Sequence, residues 1–268
     1  MAIHPQAIVD PRAEVHEDAE IGPFCIIADK VRIEAGVELK NSVTVYGRTT
    51  IGPRTRIFPG AVIGGDPQSL GYDGEDSSVV IGSDCVIHEY VTVNKGTARG
   101  LMETRIGNNC MIMAYAHVAH DCVLEDHVIL GNNTQLAGHV KIGRKAIISG
   151  MTGVHHFVTV GELAFIGAMS GLRMDVPPFL TYDGVPAEPR NVNIVGMRRD
   201  GWEEGEIRDL KHAFRLMYHD RCGRPMADLL EELPGMPFGG SRAVQRLRGW
   251  LELHLSNNRK GRLQEAFR

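Results

Sequence analysis

The 268-residue chain contains no CxxC pair and only five cysteines, which argues against a cysteine-built zinc site or a disulfide scaffold. It also lacks an apolar run long enough to span a bilayer and a charged-then-apolar leader, so a cytoplasmic protein with no integral membrane segment is expected. The formal net charge of −4 gives no basic excess of the kind that nucleic acid attracts. What charge asymmetry exists lies in the tail. Residues 1–197 hold 15 Lys and Arg against 22 Asp and Glu, whereas 198–268 hold 14 against 11. The length allows one large domain or two smaller ones, with a substantial core.

In place of these features stands a period of six. Aliphatic residues run from Val9, Val15 and Ile21 through Ile63, resume at Ile81, Ile87 and Val93, and continue from Ile106 and Ile112 to Leu172, 25 hexads in all. A period of six fits neither a lone helix nor a hairpin ladder, so each hexad is one face of a coil. Three hexads close a triangular coil of 18 residues, a parallel β-helix with the aliphatics stacked inside. The position two before each aliphatic is small or β-branched (Ala7, Ala19, Thr49, Ala116, Thr134), and Cys25, Cys85, Cys110 and Cys122 occupy it as core packers. Glycine often follows the aliphatic, as at Gly22, Gly52, Gly82, Gly107, Gly143 and Gly161, where a corner is expected to need its permissive backbone.

Two interruptions, at 66–78 and 97–103, read as loops carried on the scaffold. The first is weighted towards function, and the second holds Gly96, Gly100 and a lone Arg99. Asp175-Val176-Pro177-Pro178 is expected to end the coil, with an irregular bridge through Gly184-Val185-Pro186-Ala187. The division expected is a β-helix over 1–190 and a helical domain over 191–268. In the latter, Ile207, Leu210, Ala213, Phe214 and Met217 fit an amphipathic helix with Arg208, Lys211 and Arg215 outward, and shorter helices follow over 227–233 and 241–255. These helices would cap the open end of the solenoid.

The candidate chemistry lies in the histidines His117, His120, His139, His155 and His156. With 18 residues per coil, positions 120, 138 and 156 stand in one column, so one wall would present these histidines at ~4.8 Å per coil. A carboxylate beside an imidazole, Asp121 beside His120, orients it and stabilises its protonated form, which suits a general base. A single histidine at such a place is an ordinary edge residue; four near one column with an adjacent aspartate are not.

The segments Ala116-His117-Val118-Ala119-His120-Asp121-Cys122 and Leu136-Ala137-Gly138-His139-Val140 resemble the UDP-N-acetylglucosamine O-acyltransferases of lipid A synthesis. So do Gly150–His155, Asp175–Pro178 and Asn191–Ile194, and the likeness covers essentially the whole chain. The resemblance implies a left-handed coil, a homotrimer with sites between subunits, and transfer of a 3-hydroxyacyl chain from acyl carrier protein to a sugar-nucleotide or sugar-phosphate acceptor. It implies His120 as base, Asp121 as its orienting partner and the Gly138 N–H as oxyanion donor. His117, His139, His155, His156, Ser69, Asn193 and Arg199 would bind the acceptor, and Ala168 with Met169 would end the acyl groove. Arg208, Lys211 and Arg215 would dock acyl carrier protein, and neither a metal nor another cofactor is called for. The chain departs from the family pattern at Ser69 and Gly71, where an aspartate and a lysine are usual, at Val195 for a glutamate, at Asp200 for an arginine and at His156 for a glutamine.

Two other classes compete. A γ-class carbonic anhydrase would hold zinc with His117, His120 and His139 or His155, leaving Asp121 and Gly138 without a role. A structural solenoid would leave the His–Asp pair unexplained. The related N-acyltransferases carry a further nucleotide-binding domain before their β-helix, whereas here the hexads begin near Ala7.

Overall fold

The computed structural model describes residues 2–256. Strands of two to four residues, from Ala2–Ile3 to Gly171–Leu172, stack in register into three parallel sheets. His117 pairs with Gln135, which pairs with Gly153, which pairs with Gly171, so successive coils are 18 residues apart. Backbone hydrogen bonds run coil to coil, and the hexad aliphatics from Ile21 to Leu172 are buried between the three walls. Val9 and Val15 are only partly covered because few coils lie beneath them. The four inward cysteines are buried and free, and Cys222 is exposed.

The corners depart from expectation. Gly22, Gly52, Gly82, Gly107, Gly143 and Gly161 do not adopt positive φ; the left-handed residue comes two positions later, at Phe24, Arg54, Asp84, Asn109, Lys145 and Leu163. Those glycines serve close approach instead. A β-carbon on Gly52 would stand 2.6 Å from the carbonyl carbon of Gly82, and one on Gly82 would stand 2.7 Å from that of Gly107. A side chain there would push the coils apart.

Both loops and the histidine cluster share one corner. The segment after Val62–Gly65 and the segment after Thr92–Asn94 leave the same sheet and enter the same next one. In the coils beyond, that corner is made by Asp121, His139 and Phe157, each with positive φ.

The prolines at 177 and 178 do not end the coil. Val176 bridges Val160, and Leu180–Asp183 pairs in parallel with Phe165–Ile166 before Glu188–Val192 returns antiparallel to it. Between the bridge and the strand the prolines lie at a corner, where the ladder asks for no N–H. Four α-helices follow among the described residues: α1 (Ile194–Arg199), α2 (Glu204–Phe214), α3 (Met226–Glu232) and α4 (Arg242–Ser256). The six-residue α1, capped by the Asn193 side chain, is too short to show a helical period. The stretch expected to continue α2 widens into a π-helical turn over Arg215–His219. The helices pack on the last coils: Trp202 meets Phe179 edge-on at 5.1 Å, Arg242 stacks over Trp202 at 4.2 Å, and Arg246 pairs with Glu162.

Candidate active site

His120 and Asp121 sit together at the corner, 8 % and 1 % exposed. The Asp121 carboxylate accepts from Thr97 N–H (3.1 Å), Thr97 Oγ1 (2.6 Å), Leu101 N–H (2.7 Å) and His120 Nδ1 (2.8 Å). Burial pushes its carboxyl up, but the hydrogen bonds from Thr97 and His120 outweigh burial and hold it below the usual carboxylate range. Ionised, it only accepts, so the proton between the pair resides on His120 Nδ1. In the neutral imidazole this tautomer leaves Nε2 with its lone pair, the form a general base requires.

The second loop therefore does what its sequence did not disclose: it clamps the aspartate. Gly100 makes the clamp possible, since a β-carbon there would overlap the Asp121 carboxyl group. The loop is tied in turn to the first, with Ala98 N–H donating to Glu75 Oε1 at 2.8 Å.

The ring of His120 lies against Gly138, one coil on. A β-carbon at 138 would stand 2.5 Å from Cε1 and 2.6 Å from Nε2 of that ring, so only glycine fits. The N–H of Gly138 has no acceptor among the described residues.

A cleft of about 520 Å³ opens in front of this pair, lined among others by His117, His155, His156, Gln135, Arg173 and Gln68. Gly153 and Gly171, stacked above Gln135, keep its floor clear. Thr92 Oγ1 and His117 Nδ1 are 2.7 Å apart, and burial, with His120 nearby, lowers the His117 pKa. His155 Nδ1 is buried without a partner among the described residues.

His139 does not line this cleft. It stacks on Phe157 at 4.4 Å, turns its edge to His120 at 5.0 Å and lies 3.9 Å from Asp121; burial lowers its pKa against the opposing pull of Asp121. Ser69 shapes a turn, its Oγ accepting from Gly71 N–H at 3.4 Å, while its neighbour Gln68 reaches the cleft. Asn193 and Arg199 line a separate, more apolar cleft of about 780 Å³ with Ile129, Ile147, Phe165 and Val195, so a single chain does not bring them to the histidines. Asp200 in that cleft accepts from Arg144, Lys145 and Trp202, which gives this departure from the family pattern a structural occupation. Ala168 and Met169 are exposed at another corner and line neither cleft. On α2 and the turn after it, Arg208, Lys211 and Arg215 are exposed, with Arg215 paired to Asp220.

Gln135 and Arg173 escaped the sequence reading although the 18-residue step predicts them: Gln135 follows His117 by one coil, and Arg173 follows His155. For Gln68 the period offers no signal, because it lies in an insertion. The three-histidine set that a zinc hydratase needs is not what gathers here. Among the described residues the group with metal-ligand spacing is His120, Asp121 and His139, and its carboxylate is already engaged by four hydrogen bonds.

Residues 175–260 match the profile of UDP-N-acetylglucosamine O-acyltransferase domain 2, 103–138 match the bacterial transferase hexapeptide repeats, and 3–99 match the GMPPB C-terminal domain. The acyl-[acyl-carrier-protein]–UDP-N-acetylglucosamine O-acyltransferase of Gloeothece citriformis is 47% identical over 82% of this chain and 77% of its own length. That of Halorhodospira halophila is 44% identical over 86% and 89%. The crystal structure of UDP-N-acetylglucosamine O-acyltransferase from Moraxella catarrhalis superposes with a TM-score of 0.88 at 36% identity, covering 94% of this chain and 97% of that one. The Arabidopsis UDP-N-acetylglucosamine acyltransferase does so with 0.84 at 28%, covering 97% and 99%. The coil is accordingly the left-handed parallel β-helix of these proteins.

Proposed function

The chain belongs to the acyl-[acyl-carrier-protein]–UDP-N-acetylglucosamine O-acyltransferases, and on that premise we propose that it moves a 3-hydroxyacyl chain from acyl carrier protein to a hydroxyl of UDP-N-acetylglucosamine. The observation that carries this reading is the arrangement of His120, locked by Asp121, against Gly138, whose N–H has no acceptor among the described residues.

His120 Nε2 takes the proton of the acceptor hydroxyl as its oxygen attacks the thioester carbonyl carbon. The new C–O bond places negative charge on the carbonyl oxygen, and the Gly138 N–H stabilises it. Collapse breaks the C–S bond, and the departing thiolate of the phosphopantetheine recovers the proton from the imidazolium. Asp121 stabilises that imidazolium without itself taking the proton. No step runs through a metal or a resident cofactor, nor through an acyl-enzyme, and no cysteine lines the cleft.

His117, His155, Gln135 and Arg173 would hold the acceptor; the unpartnered Nδ1 of His155 supports this. In the homotrimer we propose, the cleft of Asn193 and Arg199 on one subunit would face the histidine cleft of the next, completing the acceptor site. Ala168 and Met169 would border the acyl groove there, and Leu70, fully exposed on the first loop, would reach towards the neighbour. Arg208, Lys211 and Arg215 would steer the acidic carrier protein. No helix of the described residues is long and apolar enough to cross a membrane, which fits the cytoplasmic setting proposed for the reaction.

The test is direct. The purified protein, given 3-hydroxyacyl-acyl carrier protein and UDP-N-acetylglucosamine, should release carrier-protein thiol in step with an O-acylated sugar nucleotide. Absence of that product across a range of chain lengths would overturn the reading.

A further inference from the structure

The two loops, the first lining the histidine cleft through Gln68 and the second clamping Asp121, carry a single cation. Residues 66–78 contain no lysine or arginine, and 97–103 contain only Arg99. The neighbouring cations are committed: Lys95 pairs with Asp66, and Lys30 and Arg48 pair with Asp76. Arg99 makes no ion pair or hydrogen bond among the described residues and is exposed. That is notable beside a loop with four acidic residues, Asp66, Asp73, Glu75 and Asp76.

Its backbone, by contrast, is fixed. Ala98 before it donates to Glu75, Gly100 after it donates to the Thr97 carbonyl at 3.0 Å, and Leu101 donates to Asp121. Arg99 is thus the tip of a turn closed on the carboxylate that holds the base. Its guanidinium lies over Gly71, where a β-carbon would stand 3.3 Å from Cζ, three residues along the chain from Gln68 in the cleft wall. An unpaired guanidinium on the turn that clamps Asp121, beside a loop whose Gln68 lines the cleft for an anionic acceptor, presents planar donors matched to a phosphate.

We propose that Arg99 binds a phosphate of the nucleoside-diphosphate sugar, and that Gly71 is side-chain-free so that the guanidinium can lie there. This rests on the acceptor chemistry argued above. It assigns Arg99 to recognition of the diphosphate, with no part in the proton transfer.

The experiment compares the wild type with Arg99→Ala, Arg99→Lys and the double variant Arg99→Ala/Gly71→Lys, in which a cation is restored from the opposite loop. Arg99→Ala should raise KM for UDP-N-acetylglucosamine by about ten-fold, as expected for one exposed charge-assisted contact. Its kcat and its KM for the acylated carrier should stay within about two-fold of wild type. UDP should lose inhibitory strength by the same factor while uridine keeps its own, and Arg99→Lys and the double variant should each recover a substantial part. An unchanged acceptor KM would overturn the proposal. So would equal weakening of UDP and uridine, because a merely structural arginine would disturb both. If the wild type turns over none of the acceptor, the proposed function fails instead; titration calorimetry of UDP against wild type and Arg99→Ala then decides the arginine alone.

Discussion

Gly100 is packed so tightly against the Asp121 carboxylate, which His120 Nδ1 meets at 2.8 Å, that no β-carbon fits between them. The backbone N–H groups of Thr97 and Leu101 meet Oδ1 of the carboxylate, and the Thr97 hydroxyl shares Oδ2 with His120. On the function proposed, the orientation of the base depends on the backbone of this loop.

Gly100→Ala should therefore lower kcat through misplacement of the aspartate. A shift of about 1 Å in a reacting group can cost on the order of 10²-fold, and a loss of roughly ten-fold or more is expected here. KM for the acylated carrier should change little, and the far-ultraviolet dichroism should remain that of the wild type. A kcat equal to wild type would show that the loop merely fills space.

His120→Ala should remove about 10²–10⁴-fold of activity with the coil intact, since the side chain leaves from the rim of the solenoid and not from its aliphatic core. Rates of acyl transfer at saturating substrates, alongside thermal melts, check it. Activity within a few-fold of wild type in a folded variant would remove His120 from its assigned role.

Acyl length should respond to position 168. Ala168 carries one methyl more than glycine, and Met169 beside it is 66% exposed and able to lean into a groove between subunits. A methylene denied burial loses about 0.8 kcal/mol, and overpacking adds about 1–3 kcal/mol, enough for roughly ten-fold discrimination per excess step. The wild type should prefer a medium-length 3-hydroxyacyl chain, and Ala168→Gly should shift the preference to longer ones. Competition among a ladder of acylated carriers measures it; identical rankings would place the end of the groove elsewhere.

Stability against acid should depend on Asp200. Burial would raise its pKa, but hydrogen bonds from Arg144, Lys145 and Trp202 hold it far below the carboxylate range in the folded chain. The unfolded chain takes up the same proton near pH ~4. The ion pairs thus stabilise the fold fully above that value, and their contribution is lost as pH falls towards the depressed folded pKa. Asp200→Asn should lower the melting temperature at pH 7 by roughly 2–12 °C, taking about 1–3 kcal/mol for charge-assisted bonds. Its melting temperature should then fall less steeply than wild type between pH 5 and pH 2. Parallel curves across that range would deny Asp200 a part in acid stability.

The coil was legible because its signal is a count: aliphatics at every sixth position fix 18 residues per turn, and that step placed His120 and Gly138 one above the other. The same arithmetic reaches Gln135 and Arg173, which polar identity alone had not singled out. It fails at the insertions. Thr97 and Leu101 meet Asp121 across 24 and 20 residues, distances that belong to no period. His139 stands one step past Gly138, where the corner turns its side chain onto Phe157 and out of the cleft lining of this chain. Nor does a residue list separate a glycine that bends the backbone from one that lets two coils touch, as Gly52 and Gly82 do.

Because the two loops, Asp121, His139 and Phe157 follow one another up a single corner, the site is written along an edge and not around a bowl. Its parts are separated in whole rungs of ~4.8 Å, so the spacing between clamp and base changes only in steps. A duplicated 18-residue coil elsewhere in the stack would lengthen the scaffold and leave that spacing as it is. The same duplication between the second loop and Asp121 would draw them one rung apart, out of hydrogen-bonding range, while every buried aliphatic kept its neighbours. The stack can lengthen only outside the coils that carry the two loops, the His120–Asp121 pair and Gly138.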